Sequence, residues 1–284
     1  RKRNLIKWFS SFNTISICLQ TIVVTFLFLL SISISAQKSA SQEDKIYLAV
    51  DNFIANPSEE NLNKLALFSE KVLPKLNVKN KDELLAFVIL NCNKGYFQNQ
   101  FGKTNQAISS YEKAWSMYQT NSLKNYDIVE FCLKPLGNLY TITGDFENAE
   151  NTIKQYYYIA TQTSNLEQQY AAVLNLSNVY QNTGRVTAAI SILEKTVKTA
   201  RLTDSQKGNL YNNLGSNYFL NTKPTIMQRN AFDNAEKAFL KAVTLLKNDE
   251  TQNEALVTAY RNLAKLKLER NEPAIAVQYF EKAK

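Results

Sequence analysis

The 284-residue sequence contains no histidine and has only three cysteines and seven glycines. Without an imidazole, the chain cannot build a Ser-His-Asp triad, a Cys-His dyad or a histidine-ligated metal site. Three cysteines are too few for a closed four-cysteine zinc site. The glycines form no G-x-G-x-x-G or P-loop pattern, so no nucleotide-binding loop is indicated. These absences favour a non-enzymatic protein that uses no cofactor and no metal.

Hydrophobic residues make up 45% of the chain, which is enough for a packed core. The net charge is +8, from 33 basic and 25 acidic side chains. Four of the basic residues lie in the first seven positions, which contain no acid: Arg1, Lys2, Arg3 and Lys7. The others are spread along the chain and form no stripe that would follow a phosphate backbone. The charge pattern therefore predicts no nucleic-acid partner.

The first 36 residues have the pattern of an export signal. A basic start is followed by an uncharged stretch from Trp8 to Gln37, most apolar at 22–30, with small residues up to Ala36. This order predicts cleavage after Ala36. The alternative is an uncleaved inner-membrane anchor, because the uncharged stretch is long enough to cross a bilayer. In both cases we expect the rest of the chain to be periplasmic, on the cell surface or secreted.

An internal repeat extends from about residue 81 to the end of the chain. Alanines recur at separations of 42, 40, 46 and 41 residues, and a bulky residue follows four positions after each: Ala107, Ala149, Ala189, Ala235 and Ala276. The motif Leu-Gly-x-x-Tyr precedes two of them, at 136–140 and 214–218, and 176–180 reads Leu-Ser-x-x-Tyr. The first copy keeps Gly95 but has Lys94 for the leucine, and the last has Lys267 for the tyrosine.

Six of the seven glycines fall on two repeat positions. Gly95, Gly137 and Gly215 follow the motif leucine or its substitute, and the others stand five residues before a register alanine: Gly102, Gly144 and Gly184. Together with the leucine, tyrosine, alanine and bulky positions, this pattern resembles the tetratricopeptide repeat.

The resemblance implies an all-α fold, a right-handed TPR-like α-solenoid of about six helix-turn-helix units preceded by an N-terminal signal or anchor helix. The expected domains are the signal at 1–36, a degenerate helical pair at 37–80 and the repeat array at 81–284, truncated at its C-terminus. About eight extra residues near 222–230 are expected to form a protruding loop.

The repeat positions predict how the helices pack and end. Small residues after the motif leucine and at the register alanine allow close helix approach, and larger side chains there would overpack. The turn glycines suit a left-handed backbone that ends the first helix of a unit. Pro135 is expected to kink its helix or delay its start, whereas Pro273 suits the first turn of a second helix.

The family resemblance also implies a ligand-binding wall. In this family the concave wall is lined by the second, fifth, ninth and twelfth positions of each first helix, and such walls take extended peptides or partner helices. That mapping, with one position added from the family's carboxylate clamp, gives the residues we call the predicted wall: Tyr96, Asn99, Lys134, Asn138, Asn175, Asn178, Gln181, Asn212, Phe219 and Arg261. Asn138 and Asn178 are equivalent one unit apart, so their amides could pair with a peptide backbone; asparagine is also common there in repeats without a ligand.

A carboxylate clamp is not expected. Lys134, Asn138 and Asn175 match three of its positions, but Asn209 and Asn213 stand where the other two are basic. Without those cations, most of the charge-assisted hydrogen bonding to a peptide C-terminus is lost.

Two further features predict buried side chains. Cys92 and Cys132 fall on different repeat positions of adjacent first helices, which favours free buried thiols over a disulfide. One or two residues of the run Tyr156-Tyr157-Tyr158 should enter the core between units, and an exposed one would mark an outer contact surface.

Three functions fit this sequence. The leading one is a protein-interaction scaffold for a protein or peptide outside the cytoplasm. The second is a regulatory or substrate-presenting region of a larger enzyme, because the long pitch and the run at 134–140 resemble the exported repeat regions of bacterial CHAT-domain proteins; sensor kinases are another possible parent. The caspase-like domain of CHAT proteins would then lie beyond Lys284, as a missing part of the same polypeptide. The third, a glycan-binding outer-membrane protein, is disfavoured because only Trp115 remains after the signal.

Overall fold

The structure is a computed structural model that describes residues 41–199, 201–221, 227–249, 251 and 253–284. The predicted signal at 1–36 and residues 222–226 of the predicted loop lie outside the described residues. Residues 227–230, expected to belong to that loop, instead form the start of a helix (Met227–Leu246). Among the described residues all regular structure is helical, and none of these helices is both long and apolar enough to span a membrane. The all-α prediction is therefore confirmed.

The described residues form twelve α-helices that pair into six hairpins, which we call units 1 to 6. Each unit has a first and a second helix, joined by a short turn in units 1 to 4 and in unit 6. The first helix of each unit contacts that of the next unit or, between units 2 and 3, residues 129–133 that precede it. A 3₁₀ turn (Leu73–Lys75) follows the second helix of unit 1, and a π-helical turn (Val129–Leu133) precedes the first helix of unit 3. The helices are α1 (Gln42–Ala55), α2 (Glu59–Val72), α3 (Lys81–Gln100), α4 (Thr104–Thr120), α5 (Lys134–Thr143), α6 (Phe146–Gln162), α7 (Leu166–Asn182), α8 (Val186–Thr199), α9 (Asp204–Leu220), α10 (Met227–Leu246), α11 (Asn253–Glu269) and α12 (Pro273–Lys282).

The register alanines lie where helices meet, because all five have no exposed surface: Ala107, Ala149, Ala189, Ala235 and Ala276. The bulky residue four positions later is also buried in units 2 to 5, whereas Phe280 of unit 6 is 38% exposed. The repeat sequence therefore maps onto a repeated packing site at the contact between the two helices of a unit.

The motif glycines make room for those bulky residues. A Cβ added to Gly95 would lie 3.0 Å from the ring of Tyr111, and one added to Gly137 would lie 3.0 Å from Ile153. At Gly215 the corresponding distance to the ring of Phe239 is 2.6 Å. The space that a side chain would take at each of these glycines is thus filled by a large side chain from the second helix of the same unit.

The last motif residue links neighbouring units through a carboxylate. Tyr140 donates a hydrogen bond to Glu112 on the preceding second helix at 2.5 Å, and Tyr218 donates likewise to Glu194. Lys267, which replaces the tyrosine in unit 6, forms an ion pair with Glu236 at 2.8 Å. The departure from the motif at Lys267 therefore keeps the link between units.

The turn glycines adopt the left-handed backbone expected of them. The φ angles of Gly102, Gly144 and Gly184 are 73°, 80° and 73°, and Asn271 takes the same place in unit 6 with φ 59°. At Gly144 the first helix ends in a reversal, in which the N–H of Asp145 donates to the carbonyl of Tyr140 at 2.9 Å.

Pro135 and Pro273 lie at helix starts. The α-helix of unit 3 begins at Lys134, so Pro135 is its second residue, and the π-helical turn takes the place of an earlier α-helical start. Pro273 is the first residue of α12, where a missing N–H breaks no hydrogen bond. Both outcomes agree with the expectation from the sequence.

Replacing Gly144 with alanine is expected to lower the free energy of unfolding by about 1 kcal/mol, because a Cβ is strained in the left-handed region. Gly144→Asn should cost less, since Asn271 already occupies the equivalent turn. Urea unfolding followed by far-UV circular dichroism measures both changes. Equal costs for the two variants would contradict the backbone explanation.

Candidate functional site

A pocket of about 560 Å³ opens between the first helices of units 1, 2 and 3. This volume is within the usual range of ligand sites. We call it the α3–α5 pocket; it is lined by Ile54, Cys92, Asn93, Tyr96, Phe97, Tyr111, Tyr126, Glu130, Phe131, Lys134, Pro135 and Asn138. Tyr111 is the one lining residue from a second helix, and it reaches the pocket because Gly95 leaves room for its ring. The pocket therefore lies on the first-helix face, meaning the surface formed by the exposed sides of the first helices.

Aromatic rings form two sides of the pocket. On one side Phe97 meets Phe53 and Tyr96 edge to face, with ring centroids 4.8 and 5.0 Å apart. On the other side Tyr126 and Phe131 stack at 5.5 Å. Tyr96 and Phe131 are 52% and 54% exposed, so each of the two pairs has one ring that is partly open to solvent.

The inner end of the pocket is buried and uncharged. Cys92 and Tyr111 are almost fully buried there, and the thiol of Cys132 behind them donates to the Tyr111 carbonyl at 3.2 Å. Burial raises the pKa of the Cys132 thiol, and its hydrogen bond with Cys92 raises it further. Burial also raises the pKa of the Tyr111 hydroxyl above its ordinary value. Both groups are therefore protonated at neutral pH, and both cysteines are free and buried as the sequence predicts.

The charged groups that line the pocket are paired with each other. Lys134 forms an ion pair with Glu130 one helical turn away, at 3.0 Å. Both side chains are partly exposed at the edge of the pocket, with 36% and 45% of their surface accessible. The edge thus offers a donor and an acceptor without adding net charge.

Three residues of the predicted wall line the pocket, namely Tyr96, Lys134 and Asn138. A fourth, Asn175, contacts this group by donating one amide hydrogen bond to the Asn138 carboxamide oxygen and another to the Tyr156 hydroxyl, both at 2.9 Å. Tyr156 is fully buried, whereas its neighbours Tyr157 and Tyr158 are exposed. The asparagines therefore also hold units 3 and 4 together.

The other residues of the predicted wall lie apart from the pocket. Asn99, Asn178 and Arg261 are exposed, and Gln181 and Phe219 are half-buried, with the ring of Phe219 against Phe232. Asn212 does not present its side chain to solvent, contrary to expectation. It is buried, and its carboxamide oxygen accepts a hydrogen bond from Asn262 of the next first helix at 3.2 Å.

The sequence mapping missed the second aromatic side of the pocket. Tyr126, Glu130 and Phe131 precede α5, in a loop and a π-helical turn that a mapping based on regular first helices does not cover. The available signal was Pro135, which shortens the α-helix, together with aromatic residues four and nine positions before it, Phe131 and Tyr126. The repeat pattern predicts Tyr111, four positions after Ala107, as a packing residue only, although its ring also lines the pocket.

The fold is a helical repeat, and the pocket opens on the face formed by its first helices. Residues 89–121 and 171–203, which cover most of units 2 and 4, match models of the tetratricopeptide repeat. The chain therefore contains tetratricopeptide repeats. No curated protein matched the sequence.

Solved structures show the same fold at low sequence identity. BtubC from P. vanneervenii matches with a TM-score of 0.58 and 18% identity, covering 79% of this chain and 89% of its own. A signal-transduction ATPase from Pyrococcus horikoshii with a tetratricopeptide repeat sensor gives 0.61 and 14%, over 92% of this chain and 39% of its own. NprR in complex with its cognate peptide NprX gives 0.51 and 14%, over 93% and 73%. The architecture is accordingly a TPR-like α-solenoid, as predicted.

Proposed function

We propose that this protein is an interaction scaffold that binds an extended peptide, or an extended segment of a partner protein, on its first-helix face. The observation that carries the proposal is the α3–α5 pocket, which opens on that face and combines apolar depth with polar groups at its edge. The structurally similar NprR was solved with its cognate peptide, which supports peptide binding by this fold.

Polar groups beside the pocket can bind a peptide backbone. The carboxamide oxygen of Asn138 accepts a hydrogen bond from Asn175. The NH₂ group of Asn138 is therefore available to donate to a ligand carbonyl. Asn178 is exposed at the equivalent position of the next unit, and its carboxamide can both donate and accept hydrogen bonds. A peptide crossing from the pocket toward unit 4 could therefore bond to both.

Changing Asn138 and Asn178 together to alanine is expected to weaken peptide binding about tenfold, because two backbone hydrogen bonds are lost. Peptides are first selected from a random library on the purified chain, and their affinity is then measured by fluorescence anisotropy. The matched control changes Asn151 and Asn234, which are exposed on the second helices α6 and α10. Unchanged affinity in the Asn138 and Asn178 variant would move the interface off this face.

Export remains part of the proposal and rests on the first 36 residues. If the signal is cleaved as the pattern predicts, the mature protein recovered from cells should begin at Gln37. A protein that keeps its first residues and sediments with membranes would support the anchor instead.

The alternative role, as a regulatory or substrate-presenting region of a larger enzyme of the CHAT or sensor-kinase type, also remains a prediction. The repeat pattern and the run at 134–140 support it. Determining the full reading frame tests it, because a CHAT-type parent requires a catalytic His-Cys pair beyond Lys284.

A further inference from the structure

We infer that the α3–α5 pocket takes a neutral aromatic side chain of the bound peptide. This inference rests on the proposed peptide-binding function and names the residue class that the pocket selects. Three observations carry it: the shape of the pocket, its charge and the amides at its edge.

The shape fits an aromatic ring. The pocket of about 560 Å³ is lined by two pairs of aromatic side chains, Tyr96 with Phe97 on α3 and Tyr126 with Phe131 before α5. Aromatic rings prefer edge-to-face or offset contacts at centroid distances of about 4.5–7 Å, and each buries roughly 150–250 Å². A ring inserted between these two sides has aromatic partners on both. It also covers the exposed surface of Tyr96 and Phe131.

The charge of the pocket fits a neutral side chain. Glu130 and Lys134 neutralise each other at the edge, and no other Asp, Glu, Lys or Arg lines the pocket. A charged ligand side chain would lose its hydration and find no unpaired counter-ion among the lining residues. A neutral ring loses only its contact with water, which favours binding.

The amides at the edge fit a peptide better than a free aromatic compound. Asn93 and Asn138 lie on α3 and α5 and both line the pocket. The Asn93 amide donates to the Ile89 carbonyl at 2.9 Å, so its carboxamide oxygen can accept from a peptide N–H, whereas Asn138 can donate to a peptide carbonyl through its NH₂ group. The backbone then continues over the first-helix face toward Asn178. A free small molecule would use the ring contacts but not this second set of bonds.

The test starts from the tightest peptide selected from the library on the 284-residue chain. Each of its positions is changed to alanine, and the position with the largest loss of affinity identifies the anchor. We expect the anchor to be Trp, Phe or Tyr, and we expect its replacement by Lys or Glu to weaken binding at least about tenfold. A charged anchor, or equal losses at all positions, would overturn the inference and leave peptide binding intact.

Pocket variants locate the anchor. Tyr96→Ala should weaken binding of the selected peptide about tenfold, while Tyr96→Phe keeps the ring and should bind normally. Phe131→Ala on the opposite side should act like Tyr96→Ala. The control is Tyr158→Ala, because Tyr158 is an aromatic residue of α6 that is 64% exposed and outside the pocket. Circular dichroism checks that each variant folds.

Two other outcomes separate the possibilities. If no library peptide binds, the proposed function fails and this inference fails with it. If N-acetyltryptophanamide alone displaces the peptide with comparable affinity, the pocket is a small-molecule site and the peptide anchor is wrong. Normal peptide binding by both Tyr96→Ala and Phe131→Ala would place the anchor elsewhere on the first-helix face.

Discussion

Replacing Gly215 with serine is expected to lower the free energy of unfolding by about 1–3 kcal/mol. A Cβ at this position would lie 2.6 Å from two ring carbons of Phe239. The ring is only 1% exposed, and because protein interiors are close-packed, relieving this contact requires α9 and α10 to move apart. Guanidinium unfolding monitored by far-UV circular dichroism measures the loss.

Unit 4 provides the compensating change. There Ser177 occupies the glycine position and is fully buried, and the bulky position holds Leu193 instead of an aromatic residue. The double variant Gly215→Ser with Phe239→Leu copies this pair into unit 5. Its cost is expected to be at least about 1 kcal/mol less than the sum of the two single changes.

The double-mutant cycle tests whether the contact with the Phe239 ring causes the loss of stability in Gly215→Ser. Additive costs would show that the loss in Gly215→Ser does not come from the ring of Phe239. Gly137→Ser serves as the graded control, because the corresponding distance to Ile153 is 3.0 Å and an aliphatic chain can adjust more easily. It should therefore cost less than Gly215→Ser.

Replacing Lys94 with leucine is expected to raise the free energy of unfolding by about 1–3 kcal/mol at pH 7. Lys94 stands where the other units have the buried residues Leu136, Leu176, Leu214 and Leu263, and it is only 5% exposed itself. Its ammonium group donates one hydrogen bond, to the Ser69 hydroxyl at 3.3 Å. Leucine fills the site without burying a charge.

The same lysine gives the protein a defined pH dependence. Burial lowers the pKa of Lys94 from 10.5 to about 8, with a contribution from the nearby charge of Lys113. Because the folded-state pKa is below the unfolded one, unfolding takes up a proton between about pH 8 and 10.5. The contribution of Lys94 to stability therefore improves as pH rises through this window, and the full cost of the buried charge is present below it.

Comparison with the Lys94→Leu variant isolates this effect from other titrating groups. The advantage of the variant should be largest at pH 7 and should shrink as the pH approaches 10.5. Lys241→Leu is the control, because this lysine is exposed on α10 and its replacement should change stability by less than about 0.5 kcal/mol. A constant advantage at all pH values would contradict a titrating buried amine at Lys94.

Much of the fold could be predicted because the residue types at the repeat positions depend on how the helices pack. A glycine after the motif leucine is needed only where the second helix places a large residue against it, as Phe239 lies against Gly215. The turn glycines are equally specific, since only a residue that tolerates positive φ can end these first helices. Local rules therefore fixed the helices, their turns and their pairing.

The candidate site was predicted only in part. Tyr96, Lys134 and Asn138 follow from the family mapping, because they lie on regular turns of α3 and α5. Tyr126 and Phe131 do not, because the loop and the π-helical turn before α5 place their rings by tertiary contacts. The burial of Asn212 was missed for a related reason. Its exposure depends on how closely α11 approaches α9, and that distance cannot be predicted from the sequence of α9 alone.

The sequence by itself determined the repeat, its helical hairpins and the small residues that let them pack, since these depend on periodicity and backbone conformation within one unit. Only the tertiary structure decided that three first helices enclose an aromatic pocket beside a neutral ion pair. It also decided which asparagines are exposed on the first-helix face and which hydrogen-bond to a neighbouring unit. Both results depend on distances between segments far apart in the chain, and those distances follow from the stacking of whole units rather than from any local pattern.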